Sequence, residues 1–294
     1  MRLEQLIGNT PLVELKELNP NSSVRLYAKL EGQNPGGSVK DRAAYFMIKD
    51  ALENGSLKKS DTLIEATSGN TGIALAMIAA VFGIKIKLVM PESATIERVK
   101  TMQAYGAEVI LTPSEGTIEY SRQFAQEQAE EFGYVILDQF NNDSNKKAHY
   151  HTTGPEIWRD TNQEVTHFVS SMGTTGTITG TSTFLKEKNK DIQIIGAQPT
   201  EGSHIPGIRK WSPEMLPGIF EADKVDKIHY VSRESAIQHA RLLSEKEGIF
   251  AGMSSGGALS IALNVVKNLE HGVVVFIVCD RGDRYLSSEL YDKK

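Results

Sequence analysis

Short apolar runs rich in Val, Ile and Leu recur along this chain, and most are followed by a turn of Gly, Ser, Thr or Asn and then by residues with helical apolar spacing. TLIEA (62 to 66), IKIKLVM (84 to 90), EVILT (108 to 112) and YVIL (134 to 137) form a first series. Its helices run from Thr71 to Phe82, stopped by Gly83, near 95 to 105, stopped by Gly106, and from about 117 to 132. THFVSS (166 to 171), IQIIGAQ (192 to 198), KIHYV (227 to 231) and VVVFIVC (273 to 279) form a second series, with helices after GTTGT, after Ser232 and after SSGG. Strands this apolar are covered on both faces, and helices between them make parallel βαβ units. The predicted fold is therefore α/β, with two mostly parallel sheets. The stretch from Pro199 to Val225, with Pro206, Pro213 and Pro217, is predicted to be irregular and to lie on the surface, where specificity often resides.

Between the strand VRLYAKL (24 to 30) and the first series lies NPGGSVKDRAA, residues 34 to 44. Ser38 is placed to cap a helix whose Val39, Ala43, Met47 and Ala51 recur every four residues until Gly55. Lys40 then falls in the first turn, at the end of the helix dipole that disfavours cations. A lysine held there gives up its proton at less than the usual cost, which suits an amine that reacts.

Three strand-to-helix turns carry the remaining chemistry. In TSGNTG, Thr67 to Gly72, hydroxyls and unpaired amides suit a carboxylate. GTTGT, Gly173 to Thr177, offers N–H and O–H donors suited to a phosphate, yet it lacks the lysine of a P-loop and the spacing of a dinucleotide fingerprint. GMSSGG, Gly252 to Gly257, supplies neutral hydroxyls. Each turn alone is ordinary capping chemistry. In an open parallel sheet, however, all would gather near strand C-terminal ends, giving an amine, a carboxylate site and a phosphate site. That combination points to an amino acid and to pyridoxal phosphate, a phosphorylated aldehyde.

Composition removes other classes. A net charge of −5 argues against nucleic acid as a partner. No apolar run reaches the roughly 18 residues needed to span a bilayer. The single cysteine, Cys279, excludes an intrachain disulfide framework, and MRLEQLIGNTPLVEL lacks the features of a secretory signal, so a cytoplasmic location is expected. No metal site is expected: His149 and His151 have no cysteine or carboxylate at ligand spacing. Cys279 reads as a small core residue whose place at a strand end could bring it to a pocket rim, and QEQAEEFG as a solvated helix face.

PGGSVKDRAA, EATSGNTGIALA, SSMGTTGTITG and GMSSGGA resemble the pyridoxal-phosphate enzymes of the tryptophan synthase beta type (fold-type II), and specifically the cysteine synthases, from IGNTPLVEL to CDRGDRYLS. DQFNN, AHYHTTGPEIW, IPGIRKW, LPGIF and CDRGDRYL are most similar to the B-type members. The resemblance implies two three-layer αβα domains: residues 1–12 with 35–143, and 13–34 with 144–294. It implies that Lys40 forms the Schiff base with pyridoxal 5'-phosphate and that Asn70 bonds the ring hydroxyl. Gly173, Thr174, Thr175, Gly176 and Thr177 would hold the phosphate, and Ser254 would face the pyridine nitrogen. Thr67, Ser68, Thr71 and Gln139 would bind the substrate carboxylate. The implied reaction is β-replacement, giving L-cysteine from O-acetyl-L-serine and sulfide, or S-sulfocysteine from thiosulfate, in a homodimer. Arg209, with Lys210 and Trp211, would close over the site; the alternative for that trio is a basic surface turn. The end soon after CDRGDRYL leaves no room for the appended domain of the longer cystathionine beta-synthases. The rival readings are an O-phosphoserine sulfhydrylase or another β-eliminating enzyme, and a non-catalytic binding protein on the same fold.

Overall fold

The computed structural model describes residues 1–292. In chain order its elements are β1 (Leu12–Leu15), β2 (Val24–Leu30), α1 (Lys40–Glu53), β3 (Thr62–Ala66), α2 (Asn70–Phe82), β4 (Lys85–Pro91), α3 (Ile96–Ala104), β5 (Glu108–Thr112) and α4 (Thr117–Phe132). There follow α5 (Asp143–Ala148), a π turn (His149–Thr153), α6 (Gly154–Asp160), β6 (His167–Ser171), α7 (Gly176–Lys188), β7 (Gln193–Pro199), β8 (Lys227–Val231), α8 (Arg233–Glu247), α9 (Met253–Lys267) and β9 (Gly272–Val278). The larger sheet runs β1-β2-β9-β6-β7-β8, parallel except for the β1–β2 pair, and the smaller runs β3-β4-β5, all parallel.

Burial follows the residue pattern. β9 lies inside the larger sheet and is buried from Val273 to Val278, whereas β8, at the edge, exposes Lys227, Ile228, His229 and Tyr230. Two helices are buried nearly all round. In α2 every residue from Thr71 to Ala79 is buried, and in α9 every residue from Met253 to Leu263. Their small side chains allow close approach on every side, which an amphipathic surface helix does not need. Both helices begin at turns singled out in the sequence, so the site is anchored on two deeply buried helices.

Some boundaries differ from the sequence reading. YVIL forms only a single parallel bridge, Val135 to Leu63, because the chain turns away at Asp138, whose φ is +52°. Val39 rather than Ser38 is the N-cap of α1, since the Ser38 backbone is engaged in a bridge with Asp280. Its Oγ still accepts from the Lys40 amide at 3.2 Å. α9 starts at Met253, so the SSGG serines lie inside the helix rather than before it. The irregular segment 200–226 contains two short 3-10 turns, as its prolines suggest. The helical run from Asp143 to Asp160 and the strand β1 had no counterpart in the sequence reading. Among the described residues no helix is long and apolar enough to cross a membrane.

Candidate active site

The C-terminal end of β9 is where the separate turns meet. The Val39 amide donates to the Cys279 carbonyl at 2.8 Å, and Ser38 bridges Asp280, so the start of α1 is fastened to that strand end. The turn can double back because Gly37 takes φ +82°, a conformation that costs glycine little. Lys40 is thus the first residue of α1, half-buried, and its Nζ has no ion pair or hydrogen bond among the described residues. Burial pushes its pKa below the usual lysine value, with Cys279 and Asp280 pulling the other way. The neutral amine is favoured beyond what the helix start alone would do.

Asn70 opens α2 and faces the same strand end. Its Nδ2 donates to Asp280 Oδ2 at 2.6 Å, and its Oδ1 accepts from Arg284, which also reaches the Gly36 carbonyl. Asp280 Oδ2 also accepts from the Tyr285 hydroxyl at 2.6 Å, while Oδ1 is buried with no partner. Burial raises the pKa of Asp280 above the ordinary range. Cys279 is half-buried beside Lys40 and Ser254, and burial pushes its thiol up to about 12, so it is not a nucleophile here.

Ser254, buried in the first turn of α9, lies between two strand ends: its carbonyl accepts from Ser171 Oγ at 2.7 Å, and the next residue's Oγ accepts from the Cys279 amide at 2.9 Å. The backbone of Gly207 passes over it, close enough that a Cβ at 207 would lie 3.3 Å from Ser254 Cβ.

The loop of residues 173–177 leads from β6 into α7. Thr174, Thr175 and Thr177 are buried, Thr175 has φ +71°, and α7 has no side-chain cap. Asn145 Nδ2 donates to Thr174 Oγ1 at 3.1 Å and to the Gln139 carbonyl at 2.7 Å. Position 176 has to be glycine, since a Cβ there would collide with Asn145 Oδ1. Thr175 Oγ1 and Asn145 Oδ1 are buried without partners. An uncapped helix start with an unpaired hydroxyl beside it fits a phosphate, which would occupy those donors. Thr177 Oγ1 lies 3.3 Å from His149 Nε2, and burial takes that imidazole down to about 3, so it is neutral.

The carboxylate turn is also assembled. Thr71 Oγ1 donates to Gln139 Oε1 at 2.7 Å, both side chains being buried, and Thr67 is buried beside them in sequence at the end of β3. The Ser68 carbonyl accepts from Arg98 at 3.4 Å, and its hydroxyl has no hydrogen bond among the described residues. Arg209 stands at the outer edge: its guanidinium lies 5.4 Å from the Trp211 ring and 5.6 Å from that of Phe140, next to Gln139. Trp211 Nε1 donates to the Gly173 carbonyl at 2.8 Å, which ties this segment to the phosphate loop. Sequence reasoning missed Asn145, Asp280 and Arg284. Two of these follow directly after β9, where the rule that ligands gather at strand C-terminal ends could have found them.

Residues 3–280 match the family described as pyridoxal-phosphate dependent enzyme. The chain is 55% identical over 292 residues to cysteine synthase B of Escherichia coli K12, and 54% identical over 292 residues to cysteine synthase B of Salmonella typhimurium. Each alignment covers 99% of this chain and 96% of the relative. The crystal structure of a cysteine synthase from Entamoeba histolytica superposes with a TM-score of 0.94 at 37% identity, covering 100% of this chain and 91% of that one.

Proposed function

The chain belongs to the family of pyridoxal-phosphate dependent enzymes, and from that premise we propose that it makes L-cysteine by β-replacement, with O-acetyl-L-serine as the amino-acid substrate and sulfide as the nucleophile. The observation that carries the reading is the half-buried, unpaired Lys40 amine at the end of β9, flanked by a carboxylate turn on one side and an uncapped helix start on the other. The likeness to cysteine synthases over nearly the full chain supports the same reaction.

When bound, pyridoxal 5'-phosphate supplies the electron sink that makes the α-proton of an amino acid acidic and lets its β-substituent leave. Lys40 would hold it covalently, the loop 173–177 would hold its phosphate, Asn70 would meet the ring hydroxyl and Ser254 the ring nitrogen. Thr67, Ser68, Thr71 and Gln139 would grip the substrate carboxylate and so fix which face of the α-carbon is presented to Lys40. Freed from the cofactor by the incoming substrate amine, Lys40, whose neutral form burial favours, would take the α-proton as acetate leaves the β-carbon. The sulfur nucleophile then adds at that carbon. Ser254 presents a hydroxyl rather than a carboxylate to the ring nitrogen, which limits how far negative charge is drawn into the ring and favours elimination over transamination.

Thiosulfate, giving S-sulfocysteine, is a second donor favoured by Arg209, an exposed cation beside Phe140 and Trp211. The reading extends to a cytoplasmic homodimer, with residues 1–12 and 35–143 as one domain and 13–34 and 144–294 as the other. Membership of the strands in two separate sheets supports that division. The test is to load the purified protein with cofactor and assay amino-acid products from O-acetylserine, O-phosphoserine and serine with sulfide and with thiosulfate. Cysteine formed from O-acetylserine and sulfide is the expected result. Activity confined to O-phosphoserine would replace the substrate assignment. Borohydride trapping with peptide mapping should locate the label at Lys40.

A further inference from the structure

The carboxylate turn is completed by Gln139, whose own position needs explaining because it lies in an irregular segment between β5–α4 and α5. Asp138 has φ +52°, its Oδ1 accepts from the Phe140 amide at 3.1 Å, and its carbonyl accepts from the amides of Asn141 and Asn142. These bonds close the turn on itself but do not attach it to a sheet. Val135 bridges Leu63 upstream and Asn145 holds the Gln139 carbonyl, while the side chain that ties the turn itself to β3 is Glu65. This residue sits in β3 two positions before Thr67, is buried, and accepts the Asp138 amide at Oε1 at 3.1 Å. Its Oε2 is buried with no hydrogen-bond partner, and the residue lines a cavity of about 390 Å³ together with Arg122, Gln139, Phe140 and Trp211.

We propose that Glu65 is a positioning residue for substrate binding: its carboxylate holds the Asp138 amide against the end of β3 and so sets Gln139 against Thr71 in the pocket for the substrate carboxylate. Thr67, Thr71 and Gln139 then depend on one strand end. Thr67 follows it directly, Thr71 is the second residue of the helix that comes next, and Gln139 reaches it through Asp138 and Glu65. A buried acid with an unsatisfied oxygen is costly to keep, and a purely structural position would be better filled by Gln or by an apolar residue. Burial first, and then Asp138, lift the Glu65 pKa to about 7, so at pH 8 the carboxylate is ionised and accepts the amide at its strongest.

The proposal rests on Gln139 binding the substrate carboxylate, and its test separates the two. In cofactor-loaded protein at pH 8, Glu65→Gln should raise the KM for O-acetylserine about tenfold, the size of one charge-assisted hydrogen bond, with kcat and the KM for sulfide changed less than about threefold. Combined with Gln139→Ala, the same substitution should change that KM less than about twofold, because the group it positions is gone. Amide hydrogen exchange of the peptide covering residues 137–142 should quicken in Glu65→Gln, with peptides of α9 unchanged. Glu65→Asp, which keeps the charge at shorter reach, serves for the same cycle should Glu65→Gln fold poorly. An unchanged KM and exchange rate, or a full tenfold effect on the Gln139→Ala background, would overturn the proposal. If exchange quickens while Gln139→Ala itself leaves the KM of wild type intact, the clamp stands and the assignment of Gln139 to the substrate falls.

Discussion

Lys40 and Arg42 stand two residues apart in α1, both basic side chains and both withdrawn from solvent, and their surroundings are opposite. Arg42 is fully buried with every donor group used: Nε and Nη2 bond Glu31 at 2.7 and 2.8 Å, Nη1 and Nη2 bond Glu156 at 2.6 and 2.8 Å, and Nη2 also reaches Thr10 at 3.1 Å. Lys29 completes the cluster, bonding Glu156 at 2.7 Å and the Thr10 carbonyl at 2.7 Å. Two cations meet Glu31, Glu156 and, at 3.6 Å from Lys29, Asp160, and none of these side chains has an orphaned atom. Among the turns at the strand ends and the residues behind them the reverse holds. Thr175, Asn145, Asp280 and Glu65 each leave a buried oxygen unpaired. Buried polarity that is satisfied internally fastens the chain; buried polarity left open is arranged for something that is not part of the chain.

The first way to break this contrast is to exchange the fates of the two basic side chains. Lys40→Ala should lower β-replacement by about three orders of magnitude or more, the scale of a lost base together with a lost covalent anchor, and abolish the visible absorbance of the lysine-linked cofactor. Stability in urea should hardly change, since no ion pair is lost. Arg42→Ala should do the opposite, costing about 3–5 kcal/mol of unfolding free energy by stranding Glu31 and Glu156, while the cofactor absorbance of whatever fraction folds stays normal. Equal stability losses in the two variants would erase the distinction.

The carboxylates sharpen the comparison through pH. Burial opposes ionisation of Glu156, but Arg42 and Lys29 outweigh it and bring its pKa down to about 2. Its contribution, about 3 kcal/mol, is present above the ordinary carboxylate range near 4.5 and is lost as pH falls through 2. Glu65 has the opposite sign: raised to about 7, it contributes most below 4.5 and loses about 3 kcal/mol as pH rises through 7. Urea titrations from pH 3 to 8 should therefore show Glu156→Gln closing its gap to wild type as the solution is acidified, and Glu65→Gln gaining on wild type as it is made alkaline. Parallel curves would mean that the two acids are not different in kind.

How much of this contrast the sequence reveals depends on distance along the chain. The open half was largely legible, because its residues sit in glycine-rich turns after apolar runs, and local pattern is enough to place Lys40, Thr71, Thr175 and Ser254 near strand ends. The closed half was not. Arg42, Glu31, Glu156 and Lys29 come from α1, the turn after β2, α6 and β2 itself, with Arg42 and Glu156 separated by 114 positions. No periodicity links such positions, and a charged residue in a helix is by default a solvated one. Asn145 and Glu65 were missed for the same reason, since each acts on the site through a contact about 30 to 70 residues away. The strand expected at 134–137 failed because a run of apolar residues says nothing about the turn that ends it, and here Asp138 diverts the chain after a single bridge.

The smallest effect is also the one that asks most directly whether an open polar atom is kept for a guest. Thr175 Oγ1 is buried and unpaired at the start of α7. Thr175→Val keeps the shape and the β-branching, so the strain of φ +71° is much the same in both. It removes a hydroxyl whose burial without a partner costs about 1–3 kcal/mol. Freed of cofactor, the variant should therefore be more stable than wild type by about 1 kcal/mol. Loaded with cofactor, the order should invert, because the phosphate loses a donor, and cofactor affinity should fall about tenfold. Urea melts of both forms, with cofactor release followed by absorbance, give the two numbers. A variant that is less stable in both forms would show that the hydroxyl serves the fold, and would move the 173–177 loop from the open half of the comparison to the closed one.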